Sequence, residues 1–519
     1  MNRDEMWDRV RGRGEPWDLI VIGGGATGAG VAVDAASRGY SVLLLEQHDF
    51  GKGTSSRSTK LVHGGVRYLA QGDISLVHEA LRERGLLRQN APHLVHELAF
   101  LVPSYSRWGA LYYRVGLAFY SLLSGRLKFG PTQRLSRIET LQRVPTLRIA
   151  GLRGGVVYFD GQFDDARLLI NLIATAAEHG ATVLNYARVT GLTFHPSGRV
   201  DGVHVQDVET GRAFQLSARV IVNATGVFCD EVRHLADPST TRLVAPSQGI
   251  HLVFDRSFLP GHTAFVVPKT PDGRVMFAIP WHGHTLVGTT DVAVSNTPLE
   301  PRPTENEIAF VLETAGRYLQ KSPTRADVLS AFAGIRPLVS SGGKNTAALS
   351  RDHTIRIDPS GLLTITGGKW TTYRNMAEDC VNRAAELGPL AKRPCVTHTL
   401  RIHGFHANAG QFGSLAVYGS DAPTIAELAR QEPQLATPLH SALPYTGAEI
   451  IWAVRHEMAR TVEDVLARRT RALFLNARAA IAMAPRTAEL LAKELGRDAA
   501  WQSQQVAVFG ELAAGYLVS

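Results

Sequence analysis

The residues Trp17 to Glu46, WDLIVIGGGATGAGVAVDAASRGYSVLLLE, decide the fold of this chain. Leu19–Ile22 is a short apolar run of the kind that forms a buried parallel strand. A glycine-rich turn, Gly23–Gly28, follows at once, and the alanine-rich stretch Ala29–Arg38 is typical of a helix. Ser41–Leu45 is a second apolar strand. The segment therefore predicts a strand–helix–strand unit, and with it the α/β fold class.

The glycine-rich turn has the spacing that a dinucleotide requires. Gly23 permits a tight turn, Gly25 lets the backbone approach a pyrophosphate, and Gly28 lets the helix pack closely on the strand. The N–H groups at the helix N-terminus favour negative charge. Glu46, at the end of the second strand, is placed to accept hydrogen bonds from an adenosine ribose. These positions predict a Rossmann-type dinucleotide-binding domain.

Two later strand ends favour FAD over NAD. Arg219–Gly226, RVIVNATG, is an apolar strand that ends in Ala-Thr-Gly and resembles the second signature of flavoprotein Rossmann domains. Leu362–Lys369, LLTITGGK, repeats the plan of a strand ending in glycines. Three strand ends that contact nucleotide suit a long, extended cofactor, whereas a simple NAD domain needs only the first.

Composition narrows the class of protein. The chain has 519 residues, 45% hydrophobic and 20% charged, which is the balance of a globular protein with room for two or three domains. Its three cysteines, Cys229, Cys380 and Cys395, form no CxxC pair. This argues against a disulfide framework and a structural zinc site, and it fits a reducing cytoplasm. No metal is expected.

The charge balance favours anionic partners. The formal net charge is +8, which suits a phosphorylated substrate, acidic lipid headgroups or nucleic acid, without choosing among them. The charged N-terminal residues contain no apolar segment of the kind found in a secretory signal. Trp108–Leu123 is the most apolar run, but it is short and carries Arg114. We expect a buried helix there, with a helix in the membrane interface as the alternative.

One longer segment makes the resemblance specific. Gly53–Tyr68, GTSSRSTKLVHGGVRY, is similar to the TSSxSSKLxHGGLRYL segment of FAD-dependent, membrane-associated glycerol-3-phosphate dehydrogenases. The likeness continues in order through DDARL (164–168), GTTD (288–291), AGIRPL (333–338), SRDHT (350–354), GGKWTTYR (367–374), HE (456–457) and RRT (468–470). The departures are Val66 and Trp370 at positions where leucine is usual, Arg57 and Thr59 in place of small residues, and a short segment Val339–Ala347.

The resemblance implies an activity and a cellular setting. The expected reaction oxidises sn-glycerol 3-phosphate to dihydroxyacetone phosphate, with hydride transfer to N5 of FAD and passage of the electrons to a quinone. The expected location is cytoplasmic, peripheral on the inner face of the cytoplasmic membrane and in contact with its anionic surface, with a homodimer as the expected assembly. No nucleic-acid partner is implied.

The resemblance also assigns roles to individual residues. The expected catalytic residues are His63, Arg336 and Lys369, with His63 as general base or flavin contact. The expected substrate-binding residues are Arg67, Tyr68, His251, Arg336, Arg351 and Lys369. The expected cofactor-binding residues are Gly23, Gly25, Gly28, Glu46, Thr54, Ser55, Ser56, Lys60, Leu61, His63, Gly64, Gly65, Ala224, Thr225, Gly226, Gly367, Gly368, Lys369 and Thr371.

The order of motifs predicts a discontinuous arrangement of domains. We expect an N-terminal tail (1–16) and an FAD-binding domain built from 17–89, 150–246 and 343–388. Residues 90–149 and 247–342 are expected to form a substrate domain with an antiparallel sheet, because short strands alternate there. Residues 389–519 are expected to form a helical cap, with one helical period running from Ile451 to Val465.

Two other functions stay open. An oxygen-using glycerol-3-phosphate oxidase of the same group is the main alternative, although such enzymes carry an inserted segment for which this sequence has no obvious place. An FAD-dependent tRNA-modifying protein would also be basic and begin with the glycine motif. The absence of arginines interleaved with aromatic residues argues against it.

Overall fold

Two large β-sheets and a C-terminal group of helices, which includes the two-stranded sheet of Pro438–His440 and Leu443–Thr446, make up the described fold. The computed structural model describes residues 1–65, 73–106, 113, 116–121, 123, 125–267, 270, 273–339 and 352–518. Much of the predicted apolar helix Trp108–Leu123, and all but the first residue of the loop Val339–Ala347, lie outside these residues.

The first sheet contains the predicted nucleotide-binding strands. Leu19 pairs in parallel with Val42 on one side and Val220 on the other, and Leu19, Ile20 and Val21 are fully buried. Burial on both faces explains why these strands are continuous apolar runs in the sequence. Among the described residues this sheet has eight strands: Trp17–Ile22, Val42–Leu45, Thr182–Leu184, Ala187–Phe194, Val200–Asp207, Ala213–Asn223, His353–Ile357 and Leu363–Gly367.

Helices cover the faces of this sheet. Ala26–Ser37 packs against Asp165–Glu178 and Tyr373–Leu387. The first 16 residues, expected as a tail, contain the helix Arg3–Arg11, which is capped by Asn2. Its buried face includes Trp7, whose ring stacks on Phe214 at a centroid distance of 4.8 Å. The apolar positions of this helix were hidden in the sequence by the charged residues between them.

The second sheet is mostly antiparallel and forms the other wall of the site. Among the described residues it has ten strands: Leu61–Val62, Val95–Ser104, Gln133–Ser136, Gly154–Phe163, Val244–Asp255, Thr263–Val267, Met276–Trp281, His284–Gly288, Val292–Ala293 and Val328–Val339. Gly154–Phe163 belongs here because it pairs along its length with Val95–Ser104. The sequence had assigned it to the FAD-binding domain, since pairing between distant strands leaves no local signal.

The remaining helices flank one of the two large sheets or form the C-terminal cap. The segment Pro389–Pro394 has no regular structure and leads into the cap. The helices of the described residues, besides those named above and several short turns, are Ile74–Asn90, Arg137–Arg143, Cys229–Ala236, Glu305–Tyr318, Ala422–Gln431, Gly447–Glu457, Ala472–Leu475, Ala477–Leu495 and Ala499–Ala514. No helix in the described part of the chain is long and apolar enough to cross a bilayer.

The helical period expected from Ile451 to Val465 is interrupted. The helix Gly447–Glu457 ends at Met458, which has a left-handed backbone with φ of 56°. The Asp464 carboxylate then accepts hydrogen bonds from the backbone N–H groups of Arg460 at 2.8 Å and Thr461 at 3.0 Å. These bonds start a new helical segment, Asp464–Arg469, with wider, π-type turns. The new segment ends in Arg468 and Arg469, which both donate to the Asp49 carboxylate.

Ion pairs join the cap to the first sheet. The His403 ring lies between two carboxylates. Its Nδ1 is 2.6 Å from Glu178, at the end of the helix Asp165–Glu178 that covers the first sheet, and its Nε2 is 2.8 Å from Asp421. Burial lowers the pKa of His403, but the hydrogen bonds to Asp421 and Glu178 outweigh it and raise the pKa to about 9. The imidazole is therefore charged at neutral pH and bridges two carboxylates.

Candidate active site

A large cavity lies between the two large sheets and is lined by described residues of both. Its volume is about 1660 Å³, larger than the ~300–1,000 Å³ typical of sites for small ligands. It extends from the glycine-rich turn and Glu46 to Arg336 and Lys369. One cavity therefore contacts both the predicted nucleotide-binding residues and the predicted substrate-binding residues.

The glycine-rich turn has the shape of a dinucleotide cradle. Gly23 has a φ of 108° and donates its N–H to the carbonyl of Leu45 at 2.8 Å. A Cβ added at Gly28 would lie 1.9 Å from the Gly23 oxygen, so the helix packs directly on the turn. Gly25 precedes the helix Ala26–Ser37 and lines the cavity, so the helix N-terminus opens toward it. The geometry fits the pyrophosphate of a dinucleotide such as FAD.

Glu46 is held in place by backbone donors. Its carboxylate accepts the N–H of Gly24 at 2.8 Å and the N–H of His48 at 2.9 Å. Burial raises the pKa of Glu46, and these two bonds act in the opposite direction. The carboxylate lines the cavity beside the glycine-rich turn, where a ribose contact was predicted.

The segment Thr54–Lys60 divides between the cavity and the core. Thr54 and Ser55 line the cavity, and Ser55 Oγ accepts the N–H of Ala26 at 2.9 Å. Lys60 does not line it, because its ammonium is buried against the Asp165 carboxylate at 2.7 Å. Burial lowers the pKa of Lys60, while Asp165 opposes this change. The predicted cofactor contact of this side chain is thus replaced by a structural ion pair.

The other predicted cofactor-binding residues fall into two groups, those that line the cavity and those that do not. Three of the predicted contacts do not line the cavity: Gly28, Ser56 and Gly64. The hydroxyl of Ser56 instead donates to the Gly51 carbonyl at 2.8 Å. Those that line the cavity are Gly23, Gly25, Glu46, Thr54, Ser55, Leu61, His63, Gly65, Ala224, Thr225, Gly226, Gly367, Gly368, Lys369 and Thr371. These residues come from strand ends of both large sheets that the tertiary fold brings to one cavity.

His63 sits where two of these strand ends meet. It follows the strand Leu61–Val62, and its backbone N–H donates to Thr371 Oγ1 at 3.2 Å. Trp370, next to Thr371, donates its indole N–H to the Ser55 carbonyl at 2.9 Å. These bonds fix the backbone around His63, and the half-buried imidazole lines the cavity.

Cationic side chains gather at the opposite end. Arg336 donates to Thr289 Oγ1 and to the Thr290 carbonyl, each at 3.1 Å, and lies 3.5 Å from the Asp291 carboxylate. Arg274 donates to the backbone carbonyl of Asp291 and lines the same cavity, as does Lys369. Arg274 and Asp291 were not predicted as site residues. Asp291 stands in the GTTD motif, whereas Arg274 follows an ordinary turn sequence with no chemical signal.

His251 is a buried, neutral side chain at this end. Its Nε2 lies 2.9 Å from Thr59 Oγ1, and its ring stacks on Phe332 with a centroid distance of 5.0 Å. Burial, and then the charges of Lys60 and Arg336, lowers the pKa of His251 well below its ordinary value of 6.5. A neutral imidazole offers hydrogen bonds to a ligand without adding to the positive charge.

Three predicted substrate-binding residues, Arg67, Tyr68 and Arg351, lie outside the described residues. They remain predictions from the sequence.

The cavity also has an apolar part. The side chains there come from the helix beginning at Ile74, from residues 117 and 119, and from three strands of the second sheet. They are Ile74, Phe100, Val102, Leu117, Phe119, Val266 and Phe277. Ile74 and Phe119 are about half exposed, at 48% and 44%, so this part reaches the protein surface.

Away from the cavity, within the described part of the chain, three side chains have the spacing of metal ligands. Potential ligand atoms of Glu378, Cys395 and His398 lie within 4.8 Å of one another. The sequence did not suggest this group, because its members belong to no CxxC pair. Arg374 donates to the Glu378 carboxylate at 2.7 Å and supplies the positive charge that a cation would bring. We assign no metal to it.

Known families and structures are similar to this chain over most of its length. Residues 18–374 match the family described as FAD dependent oxidoreductase, and residues 365–502 match the C-terminal domain of alpha-glycerophosphate oxidase. A probable mitochondrial glycerol-3-phosphate dehydrogenase of Caenorhabditis elegans is 41% identical over 95% of this chain and 73% of its own length. The mitochondrial glycerol-3-phosphate dehydrogenase of Arabidopsis thaliana is 41% identical over 95% and 85%, respectively.

Solved structures are similar as well. The X-ray structure of the glycerol-3-phosphate dehydrogenase from Bacillus halodurans complexed with FAD superposes with a TM-score of 0.80. It is 29% identical and covers 99% of this chain and 97% of its own. L-alpha-glycerophosphate oxidase from Mycoplasma pneumoniae with FAD bound has a TM-score of 0.56 and 19% identity over 75% of this chain, which shows a common fold alone. The predicted α/β fold class, with its FAD domain, is confirmed.

Proposed function

The chain belongs to the family of FAD-dependent glycerol-3-phosphate dehydrogenases, and we propose that it oxidises sn-glycerol 3-phosphate to dihydroxyacetone phosphate. The observation that carries this proposal is the single cavity, which joins the glycine-rich cradle to a cluster of cations. The relatives named for this reaction align along nearly the whole chain.

The cationic end suits a phosphate monoester. Arg274 and Arg336 both approach the Asp291 carboxylate, at 3.9 and 3.5 Å, and Lys369 lines the same cavity. A phosphate monoester carries a charge of about −1.5 to −2 near neutral pH. Arginine also offers paired donors that match phosphate oxygens. We place the substrate phosphate here, and we expect Arg67, Tyr68 and Arg351 to complete its binding site.

The reaction removes the C2 hydrogen with its electron pair, as a hydride, and the proton of the C2 hydroxyl. FAD, when bound, supplies the acceptor for the C2 hydrogen and its electron pair. The chain must bind the substrate, take the hydroxyl proton and stabilise the developing negative charge on oxygen. We propose His63 as the base, since imidazole accepts protons near neutral pH and His63 lines the cavity beside the residues of the cofactor cradle.

Arg336 and His251 complete the proposed chemistry. The guanidinium of Arg336 is suited to stabilise the developing alkoxide electrostatically, because it is anchored by Thr289 and the Thr290 carbonyl before any ligand binds. Neutral His251 is a weak base, so we propose it as a hydrogen-bonding contact for the substrate. Lys369 also lines the cavity, and we propose that its ammonium contributes positive charge to substrate binding.

Anaerobic reduction of the flavin tests the substrate. Addition of sn-glycerol 3-phosphate should bleach the absorbance near ~450 nm typical of oxidised flavins, and glycerol should not. Arg336→Ala and Lys369→Ala should each lower kcat/KM about 30- to 700-fold, corresponding to ~2–4 kcal/mol for a charge-assisted contact. Arg317→Ala is the matched control and should leave kcat/KM unchanged, because Arg317 is an exposed arginine of the helix Glu305–Tyr318 and does not line the cavity. A yellow protein that does not bleach would refute the substrate.

We propose a quinone as the electron acceptor and peripheral binding to the inner face of the cytoplasmic membrane. The apolar part of the cavity, which reaches the surface at Ile74 and Phe119, supports access for an apolar acceptor. The net charge of +8 supports attraction to anionic lipid. Sedimentation with vesicles that contain anionic lipid, compared with neutral vesicles, tests the membrane contact, and light scattering tests the proposed homodimer.

The oxidase remains the second candidate, supported by the match of residues 365–502 to a domain of alpha-glycerophosphate oxidase. Reoxidation separates the two. A dehydrogenase reduced by substrate should be reoxidised quickly by a soluble quinone and slowly by air, and an oxidase should react quickly with air. Tight tRNA binding that weakens steeply with salt would favour the tRNA-modifying alternative.

A further inference from the structure

The loop 46–52, which begins at Glu46, contacts the residues expected to bind the adenosine end of the cofactor. His48 donates its N–H to the Glu46 carboxylate at 2.9 Å, and Gly51 donates its N–H to the carbonyl of Gly24 at 3.1 Å. Phe50 between them is fully buried. The loop 46–52 thus fixes both the carboxylate expected to bind the ribose and the middle of the glycine-rich turn.

This loop is held by a buried carboxylate. Asp49 is fully buried, and Arg469 lies against it as a fork, with its Nη2 at 3.0 Å from Oδ1 and its Nη1 donating to Oδ2. Arg468 donates its Nε to the same Oδ2. Burial alone raises the pKa of Asp49, but Arg469 and Arg468 reverse this and lower it to about 2. Asp49 is therefore charged and fixed from two directions.

Both arginines belong to the C-terminal cap. Neighbouring residues of a regular α-helix do not face the same partner. Arg468 and Arg469 end the π-type segment Asp464–Arg469, and both donate to the Asp49 carboxylate. The cap also reaches the end of the loop, because Glu463 accepts a hydrogen bond from Lys52 at 2.6 Å. The interruption of the helical period therefore has a specific consequence at the cofactor site.

We propose that Arg468 and Arg469 of the cap position the adenosine end of the FAD site by holding the loop 46–52 through Asp49. They act on the cofactor indirectly and are positioning residues. This inference rests on the assignment of FAD as cofactor, and it gives the cap a role in cofactor affinity.

Simple docking of the cap is the competing explanation, and the chain offers a matched control for it. Arg460 of the cap forms a forked pair with Glu209, at 2.6 and 2.7 Å, in the turn between two strands of the first sheet. That pair also joins the cap to the first sheet, but Glu209 is not part of the loop 46–52. If the cap only needs to be docked, disruption of the Arg469–Asp49 pair and of the Arg460–Glu209 pair should change the FAD affinity equally.

The experiment compares FAD affinity among variants. Apoprotein is titrated with FAD, and binding is followed by the change in flavin fluorescence. Arg469→Lys, which keeps the charge and loses the fork, and Asp49→Asn, which keeps the size and loses the charge, should raise the Kd for FAD about 10- to 100-fold, on the order seen for residues that orient the ligands of a bound group. Arg460→Lys and Glu209→Gln should change it less than about twofold.

A second readout separates positioning from damage to the fold. Once saturated with FAD, Arg469→Lys should be reduced by substrate at the wild-type rate, because Arg469 does not line the cavity. Unchanged FAD affinity in both Arg469→Lys and Asp49→Asn would overturn the proposal, as would an equal loss in Arg460→Lys. If the wild-type apoprotein itself takes up no FAD, the cofactor assignment fails, and that failure is recognised because it precedes any substitution.

Discussion

Substitution of Gly28 by alanine is the sharpest test of the cofactor cradle. The added methyl carbon would lie 1.9 Å from the Gly23 oxygen, whereas ordinary contact begins at about 3.4 Å. The helix Ala26–Ser37 and the turn must therefore separate by roughly 1.5 Å. Overpacking of this kind costs about 1–3 kcal/mol. If the whole cost appears in cofactor binding, the affinity for FAD falls about 5- to 150-fold.

The assay measures the flavin content of purified protein and the Kd for FAD of the apoprotein. Gly510→Ala is the matched control, since Gly510 also lies within a helix and an added methyl carbon there has nothing within 4 Å. The control should bind FAD as the wild type does, with stability unchanged or slightly raised by the better helix former. Wild-type FAD affinity in Gly28→Ala would refute the argument that this contact shapes the cradle.

Two further predictions concern stability. Lys60→Met leaves the Asp165 carboxylate buried without its countercharge and should cost about 3–5 kcal/mol of unfolding free energy, whereas Lys321→Met, at an exposed ion pair, should cost less than about 1 kcal/mol. Equal denaturation midpoints for these two variants would contradict this reasoning. The pKa of His403 is raised in the folded protein to about 9 from 6.5, so its charged form stabilises the fold fully below pH 6.5 and this stabilisation is lost as the pH rises through 9. The exposed Glu178 carboxylate limits the effect to about 1–2 kcal/mol. Urea denaturation between pH 6.5 and about 9 should therefore show this loss in the wild type and not in His403→Gln; the same loss in both would exclude His403 as its source.

The sequence alone determined the nucleotide-binding strands and the family. Leu19–Ile22 and Ser41–Leu45 were readable because strands buried on both faces are continuous apolar runs. The glycine spacing of 23–28 became specific because it lies between a strand and a helix, with Glu46 at the end of the next strand. The strand ends at 224–226 and 367–369 were readable for the same reason. The ordered motifs predicted the resemblance that the relatives confirm.

Only the tertiary structure decided how the remaining residues are used. Lys60 stands in a cofactor-like motif, yet burial beside Asp165 takes its side chain away from the cavity. Arg274 carries no signal in the sequence and reaches the cavity only because the strand that follows it, Met276–Trp281, is paired within the second sheet. Asp49 is about 420 positions from Arg468 and Arg469 and meets them only through packing of the cap. Local patterns report what a segment buries, whereas partners distant in the chain are fixed by how the sheets and helices pack.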